Sequence, residues 1–399
     1  MKEKVKVGVV GFGARGMSLL KRVMLEMNDV SVLALCELRE ERLEKAAKAV
    51  EEVNGERPFC TSDYDEILKI EELDAIVINT GWRPHIELAI KAMNAGKYAA
   101  IEVGGANTLY ECYHLVEAYE KTGMPCMMLE NCCYGQKELL ALNMVKKGLF
   151  GELVHCAGGY HHDILAENLF HEEGHYRLNE YVHRNCDNYP THELGPIAKI
   201  LDINRGNRML TLSSTASKAV GINHFAKTTY GEEHPLANKS VAQGDIITTV
   251  IKCARGETIT LTLDTTLPRA FYSRGLVVRG TLGMFDEDTK TVYLEGMEEG
   301  VRGNQEQMEA THGHPIWQNY DPKGGHGGMD WLVFEAFFDS VKKGINTPID
   351  AYDTAAWASI SVLSEQSVTL GGTPLPIPDF TNGKWTDREP AIGGKFCLD

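Results

Sequence analysis

Positive charge is scarce in this chain. Forty lysines and arginines face 56 aspartates and glutamates, for a net charge of −16. That balance argues against nucleic acid or an anionic membrane surface as a partner. Long apolar runs are also missing: nothing approaches the roughly 18 consecutive apolar residues of a membrane-spanning helix. No apolar leader precedes the first strand, which begins by Val5, so a cytoplasmic location is expected. The ten cysteines include no C-x-x-C pair, and the adjacent Cys132 and Cys133 do not easily bridge each other. Scattered thiols of this kind suit a reducing compartment. Internal repeats and low-complexity tracts are absent too. What remains is 43% hydrophobic and 24% charged residues over 399 positions, a globular composition too long for one ordinary core. Two domains are expected.

The most informative stretch lies at the start. An apolar, β-branched run from Val5 to Val10 leads into Gly11-Phe12-Gly13-Ala14-Arg15-Gly16, a G-x-G-x-x-G turn, and a helical pattern follows over residues 17–27. Gly11 would allow the tight turn, Gly13 would let the backbone approach a pyrophosphate, and Gly16 would let helix and strand pack closely. The helix N-terminus then offers free N–H groups to phosphates. A second strand, Val30–Cys36, ends at Glu37, near the spacing expected of a ribose-binding acid. A carboxylate there repels a 2′-phosphate, so the pattern reads as NAD rather than NADP, although Arg39 pulls slightly the other way.

Beyond Glu37, strands and helices alternate. Helices are expected at 39–52, after Pro84 as far as Gly96, and at Leu109–Thr122; strands at 59–60, 74–80, 98–103 and 126–130. Such alternation gives a doubly wound parallel sheet, a Rossmann domain placed at residues 1–131. After a helix at 138–147 the pattern changes. Strands at 154–160, 209–215, 245–253, Thr258–Asp264 and 275–279 follow without regular crossover helices, several in hairpin spacing around Gly256 and Gly283. An α+β domain with an open, largely antiparallel sheet is expected over 132–399. It includes late helices at 330–343 and 354–369 and a Pro/Gly-rich C-terminal arm. An open sheet with apolar strands also predicts a homo-oligomer.

The densest chemistry lies between His155 and His192, which holds half of the 14 histidines. One segment is Gly159-Tyr160-His161-His162-Asp163. The other runs from Asn185 through Tyr189-Pro190-Thr191-His192-Glu193 to Pro196, where an apolar-periodic helix begins near Thr191. His192 would then sit in the first turn of a helix, where the dipole favours a neutral imidazole able to take a proton; a nearby phenol can donate or relay one. His161, His162 and Asp163 could ligate a metal, but consecutive strand residues point to opposite faces and no H-E-x-x-H spacing accompanies them, so no metal site is expected. Trp82, Trp317 and Trp331 read as packing rather than sugar-stacking residues.

A nucleotide-binding domain followed by an open-sheet domain resembles the glucose-fructose/inositol dehydrogenase superfamily. Within it the chain resembles glycoside hydrolase family 109, NAD-dependent α-N-acetylgalactosaminidases and their relatives. The resemblance rests on Tyr189-Pro190-Thr191-His192, Leu194-Gly195-Pro196, Tyr160-His161-His162-Asp163, Arg177-Leu178, Tyr272-Ser273-Arg274 and Gly325-His326-Gly327-Gly328-Met329-Asp330. It implies a sugar site at Glu130, Tyr160, Arg177, Tyr189, His192 and Tyr272. It implies a cofactor site at Gly11, Phe12, Gly13, Ala14, Arg15, Gly16, Glu37, Asn79, Trp82, His85 and Glu102. The implied reaction is redox-neutral: transient oxidation at C3 of the sugar, deprotonation at C2, elimination of the aglycone, water addition and re-reduction. The implied catalytic group is His192 with Tyr189 for the C3 hydroxyl proton and Tyr160 for the C2 proton. Glu130, Arg177 and Tyr272 would bind substrate. Two departures stand out. Dehydrogenases of the superfamily carry Glu-Lys-Pro where this chain has Glu102-Val103-Gly104, and Glu193 replaces the family's usual glycine. Two alternatives compete with the glycosidase: an NAD-dependent sugar or polyol dehydrogenase that releases NADH, and a catalytically silent sensor on the same fold.

Overall fold

Six mostly buried runs build the first sheet: Val5–Val10 (β1), Val30–Cys36 (β2), Phe59–Thr61 (β3), Ala75–Ile78 (β4), Tyr98–Ile101 (β5) and Cys126–Met128 (β6). Every pairing among them is parallel, in the order β3-β2-β1-β4-β5-β6. Helices Ala14–Arg22, Glu40–Asn54, His85–Asn94 and Leu109–Thr122 supply crossovers. Strand order reverses between β1 and β4, the point at which doubly wound sheets open a ligand crevice beyond the strand ends. The computed structural model describes residues 3–171 and 175–399. The sheet belongs to a unit made of Met1–Gly135, Ile316–Ala355 and Glu389–Asp399; a second unit comprises Gln136–Pro315 and Ala356–Arg388.

Local differences from the sequence reading have local causes. The helical run expected over 17–27 stops at Arg22, because Val23 leaves the helical region (φ −123°, ψ −71°) and a single 3-10 turn, Met24–Glu26, brings the chain back toward β2. β6 ends at Met128, and Glu130 instead caps a 3-10 turn, its carboxylate accepting from the Cys132 amide at 3.2 Å.

The second unit carries an eight-stranded sheet. Its strands are Leu153–His161 (β7), Met209–Ala216 (β8), Ile246–Cys253 (β9), Thr258–Asp264 (β10), Val277–Gly280 (β11), Gly283–Asp286 (β12), Thr291–Leu294 (β13) and Leu375–Pro376 (β14). The order is β13-β12-β11-β7-β10-β9-β8-β14, antiparallel throughout except for the central β7–β10 pair, which is parallel. Ile247, Ile251, Ile259, Leu261 and Leu263 are buried on one face, the period-two pattern of a sheet with one covered side. The hairpin between β9 and β10 turns at Gly256, whose φ of +106° lies in the left-handed region that favours glycine. The sequence reading did not place helices Tyr176–His183, Gly221–Tyr230 and Gln305–His312, each only eight to ten residues long. No helix among the described residues is long and apolar enough to cross a membrane.

Gly16 is the tightest point of the first crossover: a Cβ there would lie 2.2 Å from the Gly11 carbonyl oxygen. Gly16→Ala should therefore destabilise the protein by about 1–3 kcal/mol. Urea denaturation will measure it, and an unchanged midpoint would mean that the turn relaxes freely.

Candidate active site

The first unit presents a dinucleotide cradle at the carboxyl ends of β1, β2 and β4. Gly11 has φ +87°, and a Cβ on it would meet the Thr80 amide nitrogen at 2.8 Å, so only glycine lets this turn pass beneath the end of β4. Phe12 is buried, whereas Ala14 is exposed on the first helical turn. The Glu37 carboxylate accepts from the Phe12 amide at 2.7 Å and from the Arg39 amide at 3.0 Å, which ties the end of β2 to the turn. Asn79 is the informative residue. It follows β4 and is buried, yet among the described residues neither atom of its side-chain amide has a hydrogen-bond partner. Leaving such a group unsatisfied costs about 1–3 kcal/mol, so the site is built for a polar ligand that supplies those bonds. A dinucleotide fits this donor set.

The other proposed cofactor residues are less accessible. Trp82 is buried against Gly104, where a Cβ would approach its ring at 2.6 Å. His85 is buried and donates from Nε2 to the Thr80 carbonyl at 2.9 Å; desolvation lowers its pKa, although that carbonyl and Glu102 oppose the shift. Arg15 and Glu102 are partners, joined by Nε–Oε1 and Nη2–Oε1 contacts of 3.0 and 2.9 Å. Glu130 is fully buried at the end of β6. Of the tryptophans read as packing, Trp317 donates to the Tyr134 carbonyl at 3.0 Å, and Lys323 lies 3.7 Å over the Trp331 ring.

In the second unit the chain gathers Tyr160, Arg177, Tyr189, His192 and Tyr272. Tyr160 ends β7, opposite Leu263 of β10. Backbone bonds between His161 and Ser273, each 3.1 Å, align segment 273–275 with that strand end and so place Tyr272 beside it. Tyr189 is held by a pinned loop: Asp187 N donates to Ser364 Oγ at 2.9 Å, Gln243 Nε2 to the Cys186 carbonyl at 3.0 Å, and Asn188 Nδ2 to Gln243 Oε1. His192 is in the first turn of helix Thr191–Ile200. Ring centroids lie 4.7 Å apart for Tyr160 and Tyr189, 5.3 Å for Tyr160 and His192, and 4.6 Å for Tyr189 and His192. Tyr272 joins at 6.2 Å from Tyr160, and the Arg177 guanidinium carbon sits 4.8 Å over the Tyr189 ring. Tyr160, Tyr189 and His192 are 7%, 6% and 8% exposed, whereas Tyr272 is 46% exposed and forms the open side.

Sequence reasoning weighed His162 only as a metal ligand. The structure puts its Nδ1 2.9 Å from the Tyr160 hydroxyl and its ring 5.0 Å from that of Tyr272. Burial lowers the His162 pKa, Arg177 and His192 reinforcing the shift while Glu167 and Asp163 oppose it. The shift favours the neutral imidazole, and in the tautomer with Nδ1 unprotonated that nitrogen accepts from the phenol. The signal was present in the spacing, since residues two apart on a strand share a face. Asp163 instead accepts from the Leu165 amide at 3.1 Å.

Glu193 does not lie on the open side. It is fully buried, 3.4 Å from Arg274 Nε, and a Cβ on Gly158 would sit 2.1 Å from its Cγ. Arg274, itself buried, also binds Glu138 through Nε at 2.8 Å and through Nη2, and donates from Nη1 to the Tyr272 hydroxyl at 3.2 Å. Two carboxylates thus share the guanidinium that orients Tyr272.

Comparison with known proteins agrees with this division. Residues 5–130 match the family described as "Oxidoreductase family, NAD-binding Rossmann fold", and residues 134–387 match "Glycosyl hydrolase 109, C-terminal domain". An α-N-acetylgalactosaminidase of Tannerella forsythia is 37% identical, over 97% of this chain and 88% of that protein. A glycosyl hydrolase family 109 protein of Parabacteroides distasonis is also 37% identical, over 97% and 89%. Among solved structures, levoglucosan dehydrogenase with NADH and levoglucosan shares the fold, with a TM-score of 0.72 at 19% identity over 94% of this chain and all of that one. The WlbA dehydrogenase of Bordetella pertussis, solved with NADH and UDP-GlcNAcA, superposes with a TM-score of 0.67 at 13% identity over 95% and 99%.

Two substitutions test the electrostatics of the second unit. Arg274→Met strands two buried carboxylates and should cost about 3–5 kcal/mol. Thermal melts will measure the loss. Asp187 is 2% exposed, and burial pushes its pKa up to about 7, although the Tyr189 amide opposes the shift. Below its ordinary value of 3.8 the group is protonated both folded and unfolded; between 3.8 and about 7 only the folded state keeps the proton, so stability falls as pH rises through that window. Asp187→Asn should flatten this slope, by up to roughly 4 kcal/mol across it. An unaltered slope in urea titrations would assign the proton elsewhere.

Proposed function

Because the chain belongs to glycoside hydrolase family 109, we propose that it is an NAD-dependent glycosidase. In this reading it cleaves an α-N-acetylgalactosaminide or a related sugar by transient oxidation at C3 and elimination. The observation that carries the reading is the Tyr160–His162 pair, a phenol 2.9 Å from an imidazole and ringed by Tyr189, His192 and Tyr272. Hydrolysis through an oxocarbenium ion usually uses two flanking carboxylates. Glu138 and Glu193 are instead held in buried ion pairs with Arg274, so neither is placed to flank a glycosidic bond.

When bound, NAD supplies reversible hydride acceptance from C3, and Asn79, Glu37 and the Gly11–Gly16 amides would hold it. His192, in the first turn of its helix, accepts the C3 hydroxyl proton, with Tyr189 packed against its ring. A ketone at C3 acidifies the C2 proton. Tyr160 takes that proton in the reading favoured here, its own phenolic proton passing to His162. Arg177 places a fixed positive charge where the enolate develops. Tyr272, held by Arg274, and Glu130 orient the sugar. The aglycone then leaves C1, taking the proton held by the Tyr160–His162 pair; water adds across C1–C2, its hydroxyl to C1 and a proton to C2, and His192 returns its proton as C3 is reduced. The Glu102-Val103-Gly104 sequence supports this reading over a dehydrogenase, because Val103 stands where dehydrogenases of the superfamily carry the lysine that helps proton transfer.

Incubation with p-nitrophenyl α-N-acetylgalactosaminide in deuterated water, without added NAD, tests the proposal. The expected result is nitrophenol release, deuterium at C2 of the product and no accumulating NADH absorbance. His192→Ala should retain the dinucleotide and lose turnover. Release without deuterium would exclude elimination, and stoichiometric NADH would identify a dehydrogenase.

A further inference from the structure

The Arg15 side chain does not point freely toward where a pyrophosphate would lie. Besides Glu102, its guanidinium binds Asp330 in bidentate fashion, with Nη1–Oδ2 at 2.7 Å and Nη2–Oδ1 at 2.9 Å. Asp330 is almost fully buried at the start of helix Met329–Lys343. Its carboxylate also accepts from Asn131 Nδ2 at 2.7 Å and lies 2.9 Å from His326 Nδ1. Burial alone would raise the Asp330 pKa, but the bonds from His326 and Arg15 hold it well below the usual carboxylate range. The preceding loop is built tightly: His326, Gly327 and Gly328 all have positive φ (50°, 64° and 100°), unusual for the histidine. A Cβ on Gly325 would fall 2.3 Å from Asp330 Oδ2. One guanidinium therefore joins three segments remote in sequence: the glycine turn, the end of β5 and the 325–330 loop.

The strand order says where this junction lies. Glu37 marks the β2 side of the crevice as the adenosine side. β4 and β5 lie on the other side of β1, so the rest of a dinucleotide runs toward the strand ends where Glu102 and Arg15 meet. We infer that Asp330, acting through Arg15, is a positioning residue for cofactor retention: it holds the glycine turn closed on bound NAD and makes the dinucleotide resident rather than exchangeable. This rests on the proposed use of NAD. A redox-neutral reaction gains from such retention, because a cofactor lost between oxidation and re-reduction would leave the sugar oxidised.

The test is the dinucleotide content of the purified full-length protein after gel filtration, together with the rate at which etheno-NAD exchanges in. Wild type should retain NAD and exchange slowly. Asp330→Asn removes the charge from one bidentate pair and should speed exchange by roughly 10–100-fold. Arg15→Lys keeps both buried acids partnered, guards against a folding failure, and should speed it by about tenfold, because an ammonium cannot reproduce the fork. Thermal melts of the cofactor-free proteins separate retention from general stability. Unchanged exchange in the folded variants overturns the inference. Slower exchange also overturns it, since Asp330 would then be withholding Arg15 from the phosphates. A wild type that neither contains nor acquires NAD instead fails the functional reading itself, a distinct outcome.

Discussion

Two buried carboxylates and a single guanidinium cannot all be satisfied without constraining what surrounds them. Arg274 meets Glu138 and Glu193 in an interior where an isolated charge would cost several kcal/mol. The arrangement settles where Arg274 lies, and its remaining nitrogen then determines where the Tyr272 hydroxyl lies. Because segment 273–275 is zipped to the end of β7 by backbone bonds, Tyr160 and His162 follow in register. Glu193, the residue that departs from the family pattern, is thus part of the framework behind the aromatic cluster. Gly158 completes the fit, since any side chain there would collide with it.

The first unit solves a similar problem with glycine and one unsatisfied amide. Close approach of the turn to the strand ends requires Gly11 and Gly16, and the open hydrogen-bonding capacity is concentrated at Asn79. The cluster in the second unit gathers three phenols, two imidazoles and a fixed guanidinium charge, with Tyr160, Tyr189 and His192 buried. Burial strengthens each electrostatic interaction in the cluster and favours the neutral form of His162.

Much of this was legible beforehand, for reasons that can be named. The G-x-G-x-x-G turn and the acid after the second strand carry their geometry in their spacing. Alternating apolar strands and helices imply a parallel sheet through connection rules alone. The Tyr-Pro-Thr-His run announced Tyr189 and His192. Less visible was anything that depends on a contact between distant segments. His162 was weighed only as a metal ligand beside His161 and Asp163 and set aside on spacing, whereas only the folded strand end reveals its phenol partner. Arg15 entered only as one residue of the implied cofactor site, yet Asp330, 315 positions away, claims its guanidinium.

Local chemistry therefore belongs to the sequence: which residues turn, which extend, which alternate to bury one face, and which histidines and tyrosines lie close together along the chain. Those properties depend on φ preferences and side-chain periodicity over a few positions, so a linear string contains them. The tertiary structure decided the central parallel β7–β10 pairing, the sharing of Arg274 by two acids and the capture of Arg15. Each is a choice among many possible long-range partners, and burial makes that choice by penalising every polar group left without one.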